Sequence, residues 1–248
     1  MAALDKLGYL IDLPLEESEG EPVPRRPGPA SIEFQEVEAG TPLQPSALVK
    51  ATWKLEPGQH TAVLVRDTSH SNLVGDLLYR IRRPRKGLVL VDGRDLRDWS
   101  LEDLRAQVAL ARGVEIFDGT VTENIRLGNS EVSLETVEAS LEAAGLMDAV
   151  RALPQGVRTH LSTDGRPLSL TQCAALVLAR ALATKPRLLV VDGVLDLVAE
   201  PGAAEQVVEA LALHRSEWTL LLLTGRPELA ERFQNRFELN RGELRQGS

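Results

Sequence analysis

Short aliphatic runs separated by helical periodicities set the pattern of this chain. Runs at Thr61–Val65, Leu88–Val91, Leu188–Val191 and Trp218–Leu223 do not alternate with polar residues. Strands covered on both faces read this way, so the runs predict a parallel sheet. Apolar residues at helical spacing predict helices over Asn72–Arg83, Leu101–Val108, Leu134–Leu153, Leu170–Ala183, Ala203–His214 and Pro227–Phe233. Ser100, three residues before Asp103, reads as a capping-box start, and Pro227 suits a first helical turn. Strands alternating with helices make an α/β layered domain. The mostly helical stretch over about residues 101–184 interrupts that alternation and predicts an inserted helical subdomain.

Residues 15–30, LEESEGEPVPRRPGPA, hold four Pro, two Gly and a charge cluster. Such a segment reads as a linker, which sets residues 1–30 apart from a domain over 31–248. Leu4, Leu7, Leu10 and Ile11 suit the tail of a helix that began upstream. The whole chain has 248 residues, 43% of them hydrophobic and 26% charged, so it has the composition of a globular core. Its 28 basic and 36 acidic side chains give a net charge of −8, which excludes a generally basic nucleic-acid binder. A lone cysteine, Cys173, forbids an intrachain disulfide. No stretch approaches the ~20 apolar residues of a membrane span. With no secretory signal visible over Met1–Asp12, the expected location is the cytoplasm.

The run Thr61–Val65 leads through a turn, VRDTSHSN, directly into a predicted helix, the place where nucleotide-binding folds put a glycine-rich phosphate loop. Around that turn the segment order resembles the ATP-binding cassette of an ABC exporter, over about residues 31–245. SIEFQEV (Ser31–Val37) is similar to that family's opening strand, and LEPGQHTAVLV (Leu55–Val65) to the strand before Walker A. GLVLVDGRDLRDWSLEDLR (Gly87–Arg105) resembles the segment after the first helix, and IFDGTVTENIRLG (Ile116–Gly128) the exporter-type sequence after the Q-loop. THLSTDGRPLSLTQCAALVLARAL (Thr159–Leu182) resembles the X-loop, signature and following helix, and RLLVVDG (Arg187–Gly193) resembles Walker B. LDKLGYLIDLP (Leu4–Pro14) is similar to the region joining an exporter's transmembrane domain to its cassette. The resemblance implies a P-loop-like, mostly parallel sheet with an antiparallel β portion and an inserted helical subdomain.

Carried over position by position, the resemblance also implies a degraded nucleotide site. The three Walker A glycines fall on Val65, Thr68 and His70, where side chains obstruct close approach of backbone N–H groups to phosphate. The phosphate-binding lysine falls on Ser71, and the Mg2+-binding hydroxyl on Asn72. Asp192 stands at the family's Mg2+-binding carboxylate, but Gly193 replaces the general base and Gly225 the switch histidine. The Q-loop glutamine falls near Arg112 or in a one-residue deletion. After Val37 the adenine-stacking aromatic is missing, with Ala39 and Thr41 in its place. Of the signature, Ser169 and Gln172 survive, while Leu170 and Thr171 replace glycines.

Other features have plainer readings. Asp67, Ser69, His70 and Ser71 lack a serine-elbow pattern and read as a solvated turn. His60, His70, His160 and His214 show no metal-ligand spacing. Cys173 reads as a small buried residue, and Trp53, Trp99 and Trp218 as core. Arg80, Arg82, Arg83, Arg85 and Lys86 form a basic run, either a helix end or an acidic partner's contact. The sequence thus points to a pseudo-ATPase cassette with no catalytic residue, no metal and no cofactor. Its expected partner is an exporter's transmembrane domain or a second cassette, as homo- or heterodimer, at the cytoplasmic face of the membrane. The alternative is an ATP- and Mg2+-binding subunit working in a dimer with an intact cassette, motivated by Ser169, Gln172 and Asp192.

Overall fold

A computed structural model describes residues 20–40, 47–66, 72–214 and 216–247. The first half of the chain forms β1 (Ile32–Ala39), β2 (Leu48–Leu55), β3 (His60–Val65), α1 (Leu73–Leu78), β4 (Lys86–Val91) and β5 (Arg94–Asp95). Then come α2 (Leu101–Arg105), β6 (Val108–Arg112), β7 (Gly119–Thr120), α3 (Val121–Arg126), α4 (Leu134–Ala143) and α5 (Met147–Arg151). The remainder forms β8 (His160–Leu161), α6 (Leu170–Ala183), β9 (Leu188–Asp192) and α7 (Ala203–Ala212). It closes with β10 (Thr219–Thr224), α8 (Pro227–Ala230), β11 (Asn235–Asn240) and β12 (Glu243–Gln246).

The central sheet has the order β12-β11-β3-β10-β9-β6, parallel throughout except for β12 at one edge. Its strands are continuous apolar runs because each face is covered. Val63, Val65, Val108, Val190 and Leu221 turn to one core, shared with α1 and the antiparallel sheet β2-β1-β4-β5. Ala62, Leu64, Ala111, Val191 and Leu222 turn to the other, shared with the later helices. The mixed α/β class is therefore the one expected. The three tryptophans are buried, as their pattern predicts.

Several boundaries differ from the sequence pattern, each for a physical reason. Leu88–Val91 belongs to β4, which pairs antiparallel with β1 (Phe34↔Val89) instead of joining the parallel sheet. The helix predicted over Leu101–Val108 stops at Arg105, and Val108–Arg112 becomes an edge strand of the parallel sheet. A short apolar run does not distinguish the two by period. The inserted helices accordingly follow β6, and residues 101–112 lie outside the insertion. The helix predicted over Leu134–Leu153 is split, because the amides of Gly145 and Leu146 turn back onto the Glu142 and Leu141 carbonyls. The basic run begins after α1, with Arg80 at φ 54° breaking the helix.

The linker reading also needs correction for residues 20–30, which are docked. Val23 is buried, and its amide donates to Asp103 Oδ2 at 3.0 Å. Asp103 therefore completes a tie to the linker, while Ser100 caps α2 through the Asp103 amide. Arg187, itself buried, donates to the carbonyls of Gly28 and Pro29. Hydrogen bonds hold this Pro- and Gly-rich stretch, together with the burial of Val23 and Ala30 in the core. Leu4, Leu7, Leu10 and Ile11 lie outside the described residues.

Candidate functional site

Parallel α/β sheets build their sites at the carboxyl ends of the strands. Here those ends bring together Val65 of β3, Arg112 of β6, Asp192 of β9 and Thr224 of β10. The start of α1 lies beside them. Val65 is buried and paired with Leu239. Thr68, His70 and Ser71, with Asp67 and Ser69, lie outside the described residues, as does Thr41. Asn72 stands at the N-terminal cap position of α1 but makes no capping bond with its side chain.

The centre of the site is a guanidinium. Arg112 donates through Nε (2.8 Å) and Nη2 (2.6 Å) to Asp192 Oδ2. Nη1 donates to Asp76 Oδ1 at 2.7 Å, and Nη2 also reaches the Asn72 carbonyl at 2.9 Å. Asp76 Oδ2 accepts a further bond from Arg82 Nε at 2.8 Å. The register explains the approach, since Arg112 and Asp192 are direct partners on neighbouring strands.

Gly75 makes room. A Cβ there would lie 2.7 Å from Arg112 Nη2 and 2.8 Å from Asp192 Oδ2, closer than such carbons approach anything. An interior helix glycine costs about 1 kcal/mol relative to alanine, and close passage of the ion pair accounts for it here.

Burial pushes the Asp192 carboxyl up to about 6, against the pull of Arg112 and with the help of the nearby Asp76 and Asp196 charges. Burial lowers the Arg112 guanidinium, but the carboxylates of Asp76 and Asp192 outweigh it and hold it above its ordinary value. At neutral pH the pair is ionised and mutually satisfied.

Around this centre the other predicted positions have local roles. Gly193 follows Asp192 at φ 67° and opens the turn Val194–Leu197. That left-handed conformation favours glycine, and no side chain projects from the position where the resemblance put a general base. Gly225 donates its amide to Asp196 Oδ2 at 2.7 Å, and the Thr224 hydroxyl donates to Asp196 Oδ1. Ser169 and Gln172 cap each other's backbone: Ser169 Oγ accepts the Gln172 amide at 3.3 Å, and Gln172 Oε1 accepts the Ser169 amide at 2.9 Å. This capping box starts α6. Leu170 projects into solvent, half exposed, and the Thr171 hydroxyl donates to Glu200 Oε2 at 2.7 Å. Ala39 is buried at the end of β1.

The remaining histidines and the cysteine stay apart from the site. His160 pairs with Asp118 at 3.1 Å and His214 with Glu217 at 2.7 Å, while His60 is buried in β3. Burial raises the Cys173 thiol above its ordinary value, as does the charge of Asp164. Sequence reasoning missed Gly75, Asp76 and Asp196, and took Arg82 only as part of a basic run, whereas it pairs with Asp76. The available signal for two of them was a glycine and an acid on the apolar stretch LVGDLL.

The family model described as ABC transporter matches residues 49–195, well over half of the chain. The chain is 29% identical over 249 residues to the ATP-dependent lipid A-core flippase of Xanthomonas campestris pv. campestris, covering 98% of this chain and 42% of that protein. It is 34% identical over 222 residues to antigen peptide transporter 1 of Rattus norvegicus, covering 86% of this chain and 30% of that protein. A solved bacterial Atm1-family ABC exporter with ATP bound matches 99% of this chain and 44% of its own, at TM-score 0.81 and 23% identity. The chain thus spans less than half the length of these relatives.

Proposed function

This chain belongs to the ABC transporter family, and from that premise we propose that it is an exporter-type ATP-binding cassette that keeps the fold without hydrolysing ATP, binding nucleotide weakly or not at all. Its role is structural or regulatory. It partners an exporter's transmembrane domain or a second cassette, as homo- or heterodimer, at the cytoplasmic face of the membrane. Among the described residues no helix is long and apolar enough to cross a membrane, and the relatives that share this stretch are a flippase and a peptide transporter more than twice its length.

The observation that carries the reading is Gly193. After the family's Mg2+-binding aspartate position comes a residue with no side chain, in a left-handed backbone that disfavours a glutamate. A positioned general base contributes about 10²- to 10⁴-fold to a rate, and none stands there. The residues present also fit a nucleotide-bound Mg2+ poorly, because Asp192 Oδ2 already accepts two bonds from a guanidinium. Ser169 and Gln172 are engaged in capping α6, which favours this reading over a subunit that serves an intact partner's nucleotide. Calorimetric titration with ATP and Mg2+, together with a phosphate-release assay, tests it. A flat isotherm and no phosphate above buffer are expected, and micromolar binding with turnover would overturn the reading.

A further inference from the structure

Three oxygens from two segments converge on one cation: Asp192 Oδ2 at the end of β9, and Asp76 Oδ1 with the Asn72 carbonyl from the first turn of α1. The cation is Arg112, carried on β6. Both carboxylates are almost fully buried, and Arg82 closes the outer side of Asp76. The charges therefore balance, two carboxylates against two guanidinium groups. Gly75 is matched to the same arrangement, since any Cβ would occupy the path of Nη2 and Oδ2. An isolated surface ion pair would need no such glycine.

We propose that Arg112 is a built-in cation lock: its guanidinium holds the ends of β6 and β9 against α1 with or without nucleotide, and excludes a divalent cation from Asp192. The inference rests on reading this chain as a cassette without turnover, and it says what has taken the metal's place. Hard divalent cations seek oxygen donors of this kind. A doubly charged ion arriving beside two guanidinium groups would meet like charge and a carboxylate already bonded.

The test needs no nucleotide. Mn2+ binding is followed by electron paramagnetic resonance on the full chain, comparing wild type with Arg112→Ala, Arg112→Lys and the double variant Arg112→Ala/Asp192→Asn. Arg112→Ala should bind Mn2+ at least tenfold more tightly than wild type, and the double variant should lose that gain. Arg112→Lys, which keeps the charge, should gain nothing. Equal Mn2+ affinity in wild type and Arg112→Ala, or a gain that survives in the double variant, would overturn the lock.

Should Arg112→Ala fail to fold, the wild type still decides. The Arg112 Nε–H resonance should be slow to exchange and unmoved by Mg2+, and rapid exchange would overturn the proposal. Phosphate release by the wild type would instead strike the turnover reading, so the two failures are distinguishable.

Discussion

Gly75→Ala isolates the geometry of the site in one methyl group. In a solvated helix interior this change stabilises a protein by about 1 kcal/mol. At this position the added carbon would lie 2.7 Å from Arg112 Nη2 and 2.8 Å from Asp192 Oδ2, so the guanidinium has to move away. Breaking a buried pair costs about 3–5 kcal/mol. The Arg112 side chain retains 27% exposure, which argues for the lower end. Setting a loss of about 3 against a gain of about 1 leaves a net destabilisation of about 2 kcal/mol. With a urea m-value of about 2–3 kcal/mol/M, the unfolding midpoint should drop by about 0.7–1 M. In an Arg112→Ala background Asp192 can turn aside, and the same substitution should raise the midpoint. Urea denaturation of the four proteins measures this reversal of sign. A Gly75→Ala protein more stable than wild type would refute the reasoning.

Three further outcomes are expected. Asp192 titrates near 6 in the folded chain against an ordinary 3.8, so the folded state holds that proton more tightly than the unfolded one. Its stabilising contribution is full below about pH 4 and lost as pH rises through 6, about 3 kcal/mol relative to Asp192→Asn; parallel stability–pH profiles for the two proteins would contradict it. Ser169→Ala should cost about 1 kcal/mol through loss of the α6 cap, a fall in Tm of about 2–4 °C by calorimetry at this chain size; an unchanged Tm would show that the cap carries no weight. Cys173, 3% exposed and with its thiol raised by burial, should react slowly with Ellman's reagent in the native protein and give one equivalent after denaturation. Prompt native reaction would place it at the surface.

The parallel strands could be read from the sequence because both of their faces are covered: HTAVLV and LLVVD have no polar side to confuse the period. Leu170–Ala183 agrees at both ends with its predicted bounds, since Ser169 and Gln172 fix its start and Lys185 takes a left-handed φ just before Pro186. VALAR was lost inside a helical stretch because five residues are too few to show a period. The site was legible only in part. Asp192 and Gly193 announced themselves through a resemblance, and Arg112 came in only as one place for a missing glutamine. Its partners lie 36 and 80 residues away, and no local pattern of apolar and polar residues reports a pairing at that distance. Ser169 and Gln172 could be read two ways, and the structure shows the local one, a capping box at the start of α6.

The docked stretch before β1 bears on how this domain feels its surroundings. Arg25 bonds the carbonyls of Ala106 and Lys185, and Arg187 grips Gly28 and Pro29 while also meeting Asp92 and Gln107. Ala30 in turn takes the Thr219 hydroxyl on its carbonyl and gives its own amide to Arg187. A pull on this stretch would therefore load the feet of β9 and β10 first, the same strands whose far tips carry Asp192 and Thr224.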